Sequence, residues 1–170
     1  MKTDSLKFYR CIKCKSANLS KDTAVFTENN GEIIEARIGC VDCGACYRVK
    51  DGVPQFFPEN TYTDSFGFQW NMHRKTQLDS FTGLPITKTR LYEATNWPEN
   101  LRGLRILEAA SGAGRFTEII LQTGAEVFSF DLSSAVNANY VNNGNHPNLH
   151  LFQGDIYNIP LQKGVFDKVI

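Results

Sequence analysis

The chain has 170 residues, of which 42% are hydrophobic and 21% are charged, and its formal net charge is zero. This length allows one ordinary domain, or a small module joined to part of a larger one. The balanced charge gives no sign of a polyanion-binding surface, and no apolar run is long enough for a signal peptide or a membrane-spanning helix. We therefore expect a soluble, cytoplasmic protein without a membrane partner.

Three stretches of the chain differ in composition. All five cysteines lie within residues 1–58, which end shortly after an Asp-Gly-Val-Pro turn. Residues 59–101 are rich in aromatic side chains and show weak periodicity. In residues 102–170, short apolar runs alternate with helical patterns, which is typical of βαβ units on a parallel sheet. We predict a cysteine-bearing module, an aromatic linker or lid, and part of an α/β domain, in that order.

The cysteines form two CxxC pairs, Cys11 with Cys14 and Cys40 with Cys43, with 25 residues between them. Clustered thiols in an intracellular chain favour a metal over disulfides. Four thiolates complete a tetrahedron around Zn²⁺ at about 2.3 Å per bond and leave no open position, so we predict a structural zinc site. Two alternatives are free core cysteines, and Cys46 in place of Cys40. We prefer Cys40 because a glycine follows Cys43 and suits the tight turn of a zinc knuckle.

A β-hairpin between the two pairs would complete a zinc ribbon. Residues 24–26 and 33–38 have the pattern of its strands, and Asn-Asn-Gly at 29–31 is a turn signal. A segment of this size buries little core. Zinc would therefore supply much of its folding free energy, roughly 10–16 kcal/mol by analogy with zinc-finger peptides.

The α/β segment shows alternating strand and helix patterns. We predict strands at 104–108, 126–131 and 149–153, a fourth beginning at 166, and helices at 115–123 and from Ser133 or Ser134 to 141. Gly124 and Gly144 are placed to end the two helices, and either serine can cap the second.

A glycine loop joins the first of these strands to the first helix. Its sequence is Glu-Ala-Ala-Ser-Gly-Ala-Gly at residues 108–114. Glycines there let the backbone approach a ligand closely, and the helix start offers unpaired N–H donors. A dinucleotide site requires G-x-G-x-x-G, and counting from Gly112 its last position is Thr117. A nicotinamide oxidoreductase is therefore disfavoured.

Counted from Ala110, the loop reads (A/G)-x-G-x-G with an acidic residue, Glu108, two positions before it, and this stretch resembles motif I of the class I S-adenosylmethionine-dependent methyltransferases. Three further landmarks follow at the family's intervals, namely Asp131 (19 residues after Gly112), Gly-Asp-Ile at 154–156 and Phe-Asp-Lys-Val-Ile at 166–170. The resemblance covers about residues 101–170. The family usually has glycine in place of Ala110, and alanine does not easily adopt a positive φ.

The resemblance extends to a subfamily. Phe-Gly-Phe-Gln-Trp at 66–70, Gln-Leu-Asp at 77–79 and the preceding cysteines look like type 11 methyltransferase-domain proteins with an N-terminal zinc ribbon. In these proteins the segment before motif I folds over the cofactor cleft. The aromatic side chains of this segment (Phe66, Phe68 and Trp70) have two interpretations, as core residues or as part of a cofactor lid.

The resemblance implies S-adenosyl-L-methionine as the cofactor, and it assigns roles to seven residues. The methionine end would be held by Glu108, Ala110, Gly112 and Gly114, the ribose hydroxyls by Asp131, and the adenine by Asp155 and Ile156. Charge-assisted hydrogen bonds of this kind contribute about 1.5–3 kcal/mol each. Structural alternatives are an amide cap for Glu108, an N-cap for Asp131 and a loop role for Asp155.

The implied fold is a partial Rossmann-like parallel sheet with strand order 3-2-1-4, preceded by the zinc ribbon. The family's sheet has seven strands in the order 3-2-1-4-5-7-6, so we expect a C-terminal truncation and little or no methyl transfer by residues 1–170 alone. The catalytic residues and the methyl acceptor, a small molecule, RNA or protein, are not indicated. The alternative is a zinc-ribbon module that docks a protein or RNA partner. Nine Lys/Arg against six Asp/Glu in residues 1–50 leave little basic excess for nucleic acid.

Overall fold

The computed structural model describes residues 1–29, 31–57 and 64–170, and of residues 23–25, 64–66 and 68 it describes the backbone alone. The strands within these ranges are β1 (Leu19–Asn29), β2 (Glu32–Cys40), β3 (Cys46–Lys50), β4 (Val53–Phe56), β5 (Arg105–Ala109), β6 (Glu126–Asp131), β7 (Leu149–Gly154) and β8 (Lys168–Val169). The helices are α1 (Asp64–Met72), α2 (Asp79–Thr82), α3 (Ile86–Thr95), α4 (Arg115–Gln122) and α5 (Ala135–Asn143), with 3₁₀ turns at Thr3–Phe8 and Ile156–Asn158.

All eight strands form one sheet in the order β1-β2-β3-β4-β7-β6-β5-β8. The strands β5, β6, β7 and β8 are the first to fourth strands of the α/β segment, so their order is 3-2-1-4 and their pairing is parallel, as predicted. The observed strands begin and end within two residues of the predicted ones. The mixed α/β fold and the parallel sheet with strand order 3-2-1-4 are confirmed.

The amino-terminal ribbon is continuous with this sheet. Its strands β1 to β4 pair antiparallel, and β4 then pairs parallel with β7 through Gln55 opposite Gln153 and Phe56 opposite Gly154. Both predicted hairpin strands are present and longer than expected, whereas Asn30 of the predicted turn lies outside the described residues. The division at residue 58 and the linker at 59–101 stay predictions, since residues 58–63 are also outside that range.

Alternate side chains of the parallel strands serve two different cores, because successive side chains in a strand point to opposite faces. On one face, Phe128, Phe130 and Phe152 pack with residues of the ribbon and the amino-terminal segment, among them Tyr9 and Phe56. The ring centroids of Phe130 and Phe152 are 4.9 Å apart and stacked. The ribbon therefore buries an aromatic surface of the parallel strands that would otherwise be exposed to solvent.

The other face of the sheet is covered by helices α3, α4 and α5. Ile106 and Val127 pack there against Ile119 and Ile120 of α4, which confirms the predicted apolar face of that helix. The helix α4 is followed by Gly124 at φ +82°, as predicted, and α5 ends at Gly144. No helix within the described ranges is long and apolar enough to cross a membrane.

A buried polar cluster lies between this face of the sheet and helices α4 and α5. Its centre is Glu108, whose side chain is 2% exposed and whose Oε2 accepts hydrogen bonds from the hydroxyls of Thr117 and Ser129. The Asn139 amide donates to the same Thr117 oxygen at 2.8 Å. Burial raises the pKa of the Glu108 carboxyl to about 7, although the two hydroxyls act to lower it.

The raised pKa of Glu108 makes a testable difference to the pH dependence of stability. The protonated form is favoured in the folded state, so the stabilisation is complete below about pH 4.5 and is lost as the pH rises through 7. We expect wild type, relative to Glu108→Gln, to lose about 2–3 kcal/mol of unfolding free energy between pH 5 and pH 8, which urea unfolding would measure. Parallel pH profiles of the two proteins would contradict this.

A second prediction concerns the close contact between the glycine loop and α5. Gly114 has φ +86°, and a Cβ there would overlap the Asn139 and Asn143 amides. Gly103 has the same φ but nothing within 4 Å of its Cβ position, so it is a matched control. We expect Gly103→Ala to cost about 1 kcal/mol from the backbone conformation alone, and Gly114→Ala about 2 kcal/mol more. Equal losses in denaturant unfolding would exclude the close contact.

Candidate cofactor cleft and metal centre

The four cysteines predicted as zinc ligands lie together at one end of the ribbon. The Sγ atoms of Cys11, Cys14, Cys40 and Cys43 all lie within 4.8 Å of one another, and the Cys11–Cys43 and Cys14–Cys40 distances are both 3.6 Å. A tetrahedral zinc site with bonds of about 2.3 Å has sulfur–sulfur edges of roughly 3.8 Å, so the cluster fits such an ion. Cys46 is exposed and lies outside this group.

Two equivalent turns present these sulfurs. In each, the residue after the second cysteine has a positive φ and donates its N–H to the carbonyl of the first cysteine at 2.9 Å. Gly44, at φ +72°, holds this position in the second turn, as expected for a knuckle. The first turn has Lys15 there, at φ +62°, so a non-glycine residue adopts the left-handed conformation.

The sequence analysis did not assign a role to Tyr47, which contacts this cluster. Its hydroxyl oxygen accepts the N–H of Ile12 at 3.0 Å and lies 3.0 Å from Cys11 Sγ, so the hydroxyl hydrogen is available to the sulfur. Burial acts to raise the pKa of the Cys11 thiol, but this bond and backbone N–H donors outweigh it and lower the pKa to about 6. The contact therefore favours the thiolate form that binds metals.

The glycine loop lies at the carboxyl end of β5 in a strained conformation. Ala110, Gly112 and Gly114 have φ values of +57°, +53° and +86°. Alanine adopts the conformation that the family's glycine would, at a cost of about 1–2 kcal/mol. Backbone hydrogen bonds hold the loop, because Ser111 N–H donates to Phe130 O at 3.0 Å and Gly114 N–H donates to Ser111 O at 2.9 Å.

Asp131, at the end of β6, connects this loop to the start of α5. Its Oδ2 accepts the N–H of Gly112 at 2.9 Å, and its Oδ1 accepts the N–H and hydroxyl of Ser133 at 2.8 and 2.7 Å. Asp131 therefore also caps the segment that leads into α5, which is the structural role considered for it from the sequence. The side chain is half-buried at the rim of the cleft, which leaves part of the carboxylate accessible.

Glu108 does not face the cleft. Its carboxylate lies in the buried polar cluster on the helix-covered face of β5, and its Oε1 has no hydrogen-bond partner among the described residues. The sequence analysis expected it to hold the methionine end of a cofactor. The alternation of strand side chains explains the difference, because Glu108 shares the face of Ile106 beneath the helices. In the structure its hydrogen bonds join Thr117 of α4 to Ser129 of β6.

Asp155 and Ile156 follow β7 at the same edge of the sheet as Asp131. Asp155 Oδ1 accepts the N–H of Tyr157 at 2.9 Å, which caps the 3₁₀ turn, and the carboxylate is half-exposed. Ile156 is 58% exposed, an unusual environment for a large aliphatic side chain. The parallel pairing of Asp131 with Gln153 places the three residues close together on adjacent strand ends.

A cavity of about 320 Å³ opens beside the glycine loop. Its lining includes Ala110, Ser111, Gly112, Ala113, Arg115 and Phe116 from the loop and α4, and Trp70, Arg74, Gln77, Leu78 and Arg90 from the segment before β5. The Ser111 hydroxyl is buried there without a hydrogen-bond partner among the described residues. A buried polar atom of this kind fits a ligand that carries polar groups. The side chains of Phe66 and Phe68 lie outside the described residues.

Helix α1 covers the loop and brings Trp70 to the cavity. Gly67 packs so closely on Ser134 that a Cβ would overlap its hydroxyl, and the Asn71 amide donates to Ser134 O at 3.1 Å. A lid was expected here from the resemblance, but the helices α1 to α3, and Arg74 and Arg90 in this segment, were not. The weak periodicity of residues 59–101 gave no helical signal, and only the short matches at 66–70 and 77–79 pointed to this segment.

Comparisons with known proteins agree with this architecture. Residues 106–170 match the family described as a methyltransferase domain. No curated protein sequence is similar to the chain.

Among solved structures, a candidate S-adenosyl-L-methionine-dependent methyltransferase from Methanococcus maripaludis is 17% identical, with a TM-score of 0.47 over 66% of this chain and 51% of its own. A SAM-dependent methyltransferase from Aquifex aeolicus is 19% identical, with a TM-score of 0.42 over 64% and 56%. Phosphoethanolamine N-methyltransferase 1 from Haemonchus contortus, in complex with phosphoethanolamine and S-adenosylhomocysteine, is 20% identical, with a TM-score of 0.45 over 62% and 24%.

The chain thus spans about half the length, or less, of two of these structures and slightly more than half of the third. The family match begins within β5 and runs through the glycine loop, Asp131 and Asp155 to the last residue. The match therefore covers the carboxyl-terminal part of this chain, residues 106–170, and that part is similar to methyltransferase domains.

Proposed function

We propose that this chain binds S-adenosyl-L-methionine at the carboxyl ends of β5, β6 and β7 and serves the transfer of its methyl group to an acceptor. The observation that carries the proposal is the contact between Asp131 and Gly112 beside the cavity. It places an acidic strand end and a glycine loop at one site, on adjacent parallel strands. This is the position in which open α/β sheets bind their ligands.

Different residues at this edge of the sheet bind different parts of the cofactor. The loop at Ala110, Gly112 and Gly114 lets the methionine end approach the backbone, where the Ser111 hydroxyl is free to bond. Asp131 accepts hydrogen bonds from the ribose hydroxyls, and Asp155 accepts one from the adenine amino group while Ile156 packs on the ring. The resemblance assigns Glu108 to the methionine end, but its burial and its hydrogen bonds to Thr117 and Ser129 support a role in joining α4 to β6.

The cofactor supplies a methyl group that its sulfonium has already activated. The chain is therefore required to bind and orient rather than to provide a nucleophile or an acid–base pair. Alignment of an acceptor with the methyl group is an effect of proximity and orientation. Trp70 and helix α1, packed over the loop, exclude water from one side of the cleft.

We further propose that the four-cysteine cluster holds Zn²⁺ in a structural role. Four thiolates close the coordination sphere, so substrate has no access to the ion. The metal would stabilise the ribbon, whose strand β4 pairs with β7 next to Asp155. Zinc thus supports one side of the cofactor cleft without taking part in methyl transfer.

Cofactor binding can be tested by calorimetric titration with S-adenosylhomocysteine. We expect Asp131→Asn to weaken binding by tenfold or more, because it removes a charge worth about 1.5–3 kcal/mol per hydrogen bond and keeps an oxygen for the Ser133 cap. Asp167→Asn is the matched control, since Asp167 bonds Arg105 N–H at the opposite end of β5. No binding by wild type, or equal affinities of wild type and Asp131→Asn, would refute the proposal.

The metal site can be tested by metal analysis of the purified protein. We expect one zinc per chain in wild type and in Cys46→Ser, and loss of zinc with a less stable ribbon in Cys14→Ser. Both cysteines are exposed, so the two substitutions remove little packing and differ mainly in ligation. If Cys46→Ser loses as much zinc as Cys14→Ser, the ligand set is wrong.

A further inference from the structure

The cavity beside the glycine loop carries an excess of positive charge. Three arginines line it, Arg74, Arg90 and Arg115, and no aspartate or glutamate is among its described lining residues. Within the described part of the chain, none of the three forms an ion pair. Guanidinium groups stay charged at any physiological pH, so the excess is permanent.

The nearest carboxylates are turned away from this cavity. Asp79 accepts the N–H groups of Thr87 and Lys88 at 2.9 and 2.8 Å, which directs its two oxygens to the start of α3. Burial acts to raise the pKa of the Asp79 carboxyl, but these bonds and the positive charge of Arg115 outweigh it and hold the pKa below its usual value. Glu118 accepts the N–H of Asp79 at 3.1 Å. Both acids are therefore engaged by backbone N–H groups at the starts of α2 and α3, and neither is among the residues that line the cavity.

Two of the three arginines take part in hydrogen bonds with neighbouring residues, Arg74 through its backbone carbonyl and Arg115 through its guanidinium group. The Asn142 amide donates to the carbonyls of both Arg74 and Ala113 at 2.9 Å, which ties the Arg74 backbone to the glycine loop. Arg115 donates to Gln77 at 3.3 Å, and its buried Nε has no partner among the described residues. The Arg74 and Arg90 side chains are exposed, whereas the Nε of Arg115 is buried, so the cavity offers a guanidinium donor that no described residue satisfies.

The cofactor alone does not balance this charge. S-adenosyl-L-methionine has one carboxylate but also an ammonium and a sulfonium group, so its net charge is positive. If one guanidinium, that of Arg115 next to the loop, pairs with the carboxylate, two others still face a cationic ligand. Both of these are exposed and available to a second ligand, and their planar guanidinium forks match the oxygens of a carboxylate or a phosphate.

We infer that the methyl acceptor carries an anionic group, a carboxylate or a phosphate, which Arg74 and Arg90 bind at the rim of this cavity. The inference rests on the proposed function, because it takes the loop to be the cofactor site. It places the anion on the α1–α3 side of the cleft, next to Trp70. A neutral or cationic acceptor would leave the two guanidinium groups without a counter-charge.

The test uses the whole chain saturated with S-adenosylhomocysteine, which occupies the cofactor site. Inorganic phosphate and malonate are then titrated by calorimetry at constant ionic strength. We expect saturable binding of at least one anion to wild type, and at least tenfold weaker binding to Arg74→Gln/Arg90→Gln with less than a threefold change in S-adenosylhomocysteine affinity. Tighter binding of phosphate or of malonate distinguishes a phosphorylated from a carboxylated acceptor.

Lys88→Gln is the matched control, because Lys88 lies on α3 with Arg90 but pairs with Glu99 at 3.5 Å. It should bind both anions as wild type does. The inference is overturned if wild type shows no saturable anion binding, if Lys88→Gln is as weak as the double variant, or if the double variant loses S-adenosylhomocysteine affinity instead. Failure of wild type to bind S-adenosylhomocysteine at all, measured in the first step, would overturn the proposed function and with it this inference.

Discussion

The parallel pairing of β4 with β7 is the contact on which the rest of the structure depends. It is short, with Gln55 opposite Gln153 and Phe56 opposite Gly154, and the two glutamine side chains bond each other at 3.1 Å. Without it, β7 would be an exposed edge of the parallel sheet and β4 an edge of the ribbon. The pairing joins two units, each too small to bury a large core, into one sheet with a shared aromatic core.

The strained glycine loop keeps its conformation because three neighbouring parts of the structure form hydrogen bonds with it. Ser111 bonds β6 through Phe130, Gly112 bonds the Asp131 carboxylate, and Asn143 donates to the carbonyl of Gly114 at 3.1 Å. Beneath it, Glu108 holds α4 and β6 through two hydroxyl groups. Strain that is held by several independent contacts in this way is typical of functional sites, where a loop must be prepared before its ligand arrives.

The parts of the structure that the sequence predicts are those with local signals. Strands β5 to β7 and helices α4 and α5 have clear hydrophobic periodicity, and glycines mark the ends of the two helices. The two CxxC pairs likewise predict that the four cysteines lie together. The β4–β7 pairing joins residues almost 100 positions apart in the chain, and no local pattern encodes it. The direction of Glu108 could have been predicted, because strand alternation places it on the same face as Ile106.

The arginine-lined cavity was not predicted, for a different reason. Its walls come from α1, α3 and α4, which meet only when the segment before β5 folds back over the loop. Arg74 and Arg90 belong to no spacing pattern, and in the sequence they look like ordinary surface residues. What groups them is their common position in the lining of the cavity beside the loop.

The end of helix α5 has a consequence for the chemical ageing of the chain. Asn143 and Gly144 form an Asn-Gly pair, the sequence in which a glycine nitrogen most readily attacks the preceding side-chain amide to form a cyclic imide. In this structure the Gly144 N–H is a donor to Tyr140 O at 2.8 Å, and the Asn143 amide is engaged by Gly114 and Asn139. Deamidation would put an anionic oxygen against two acceptors, at the base of the glycine loop. The helix therefore protects the loop by keeping both reacting groups occupied.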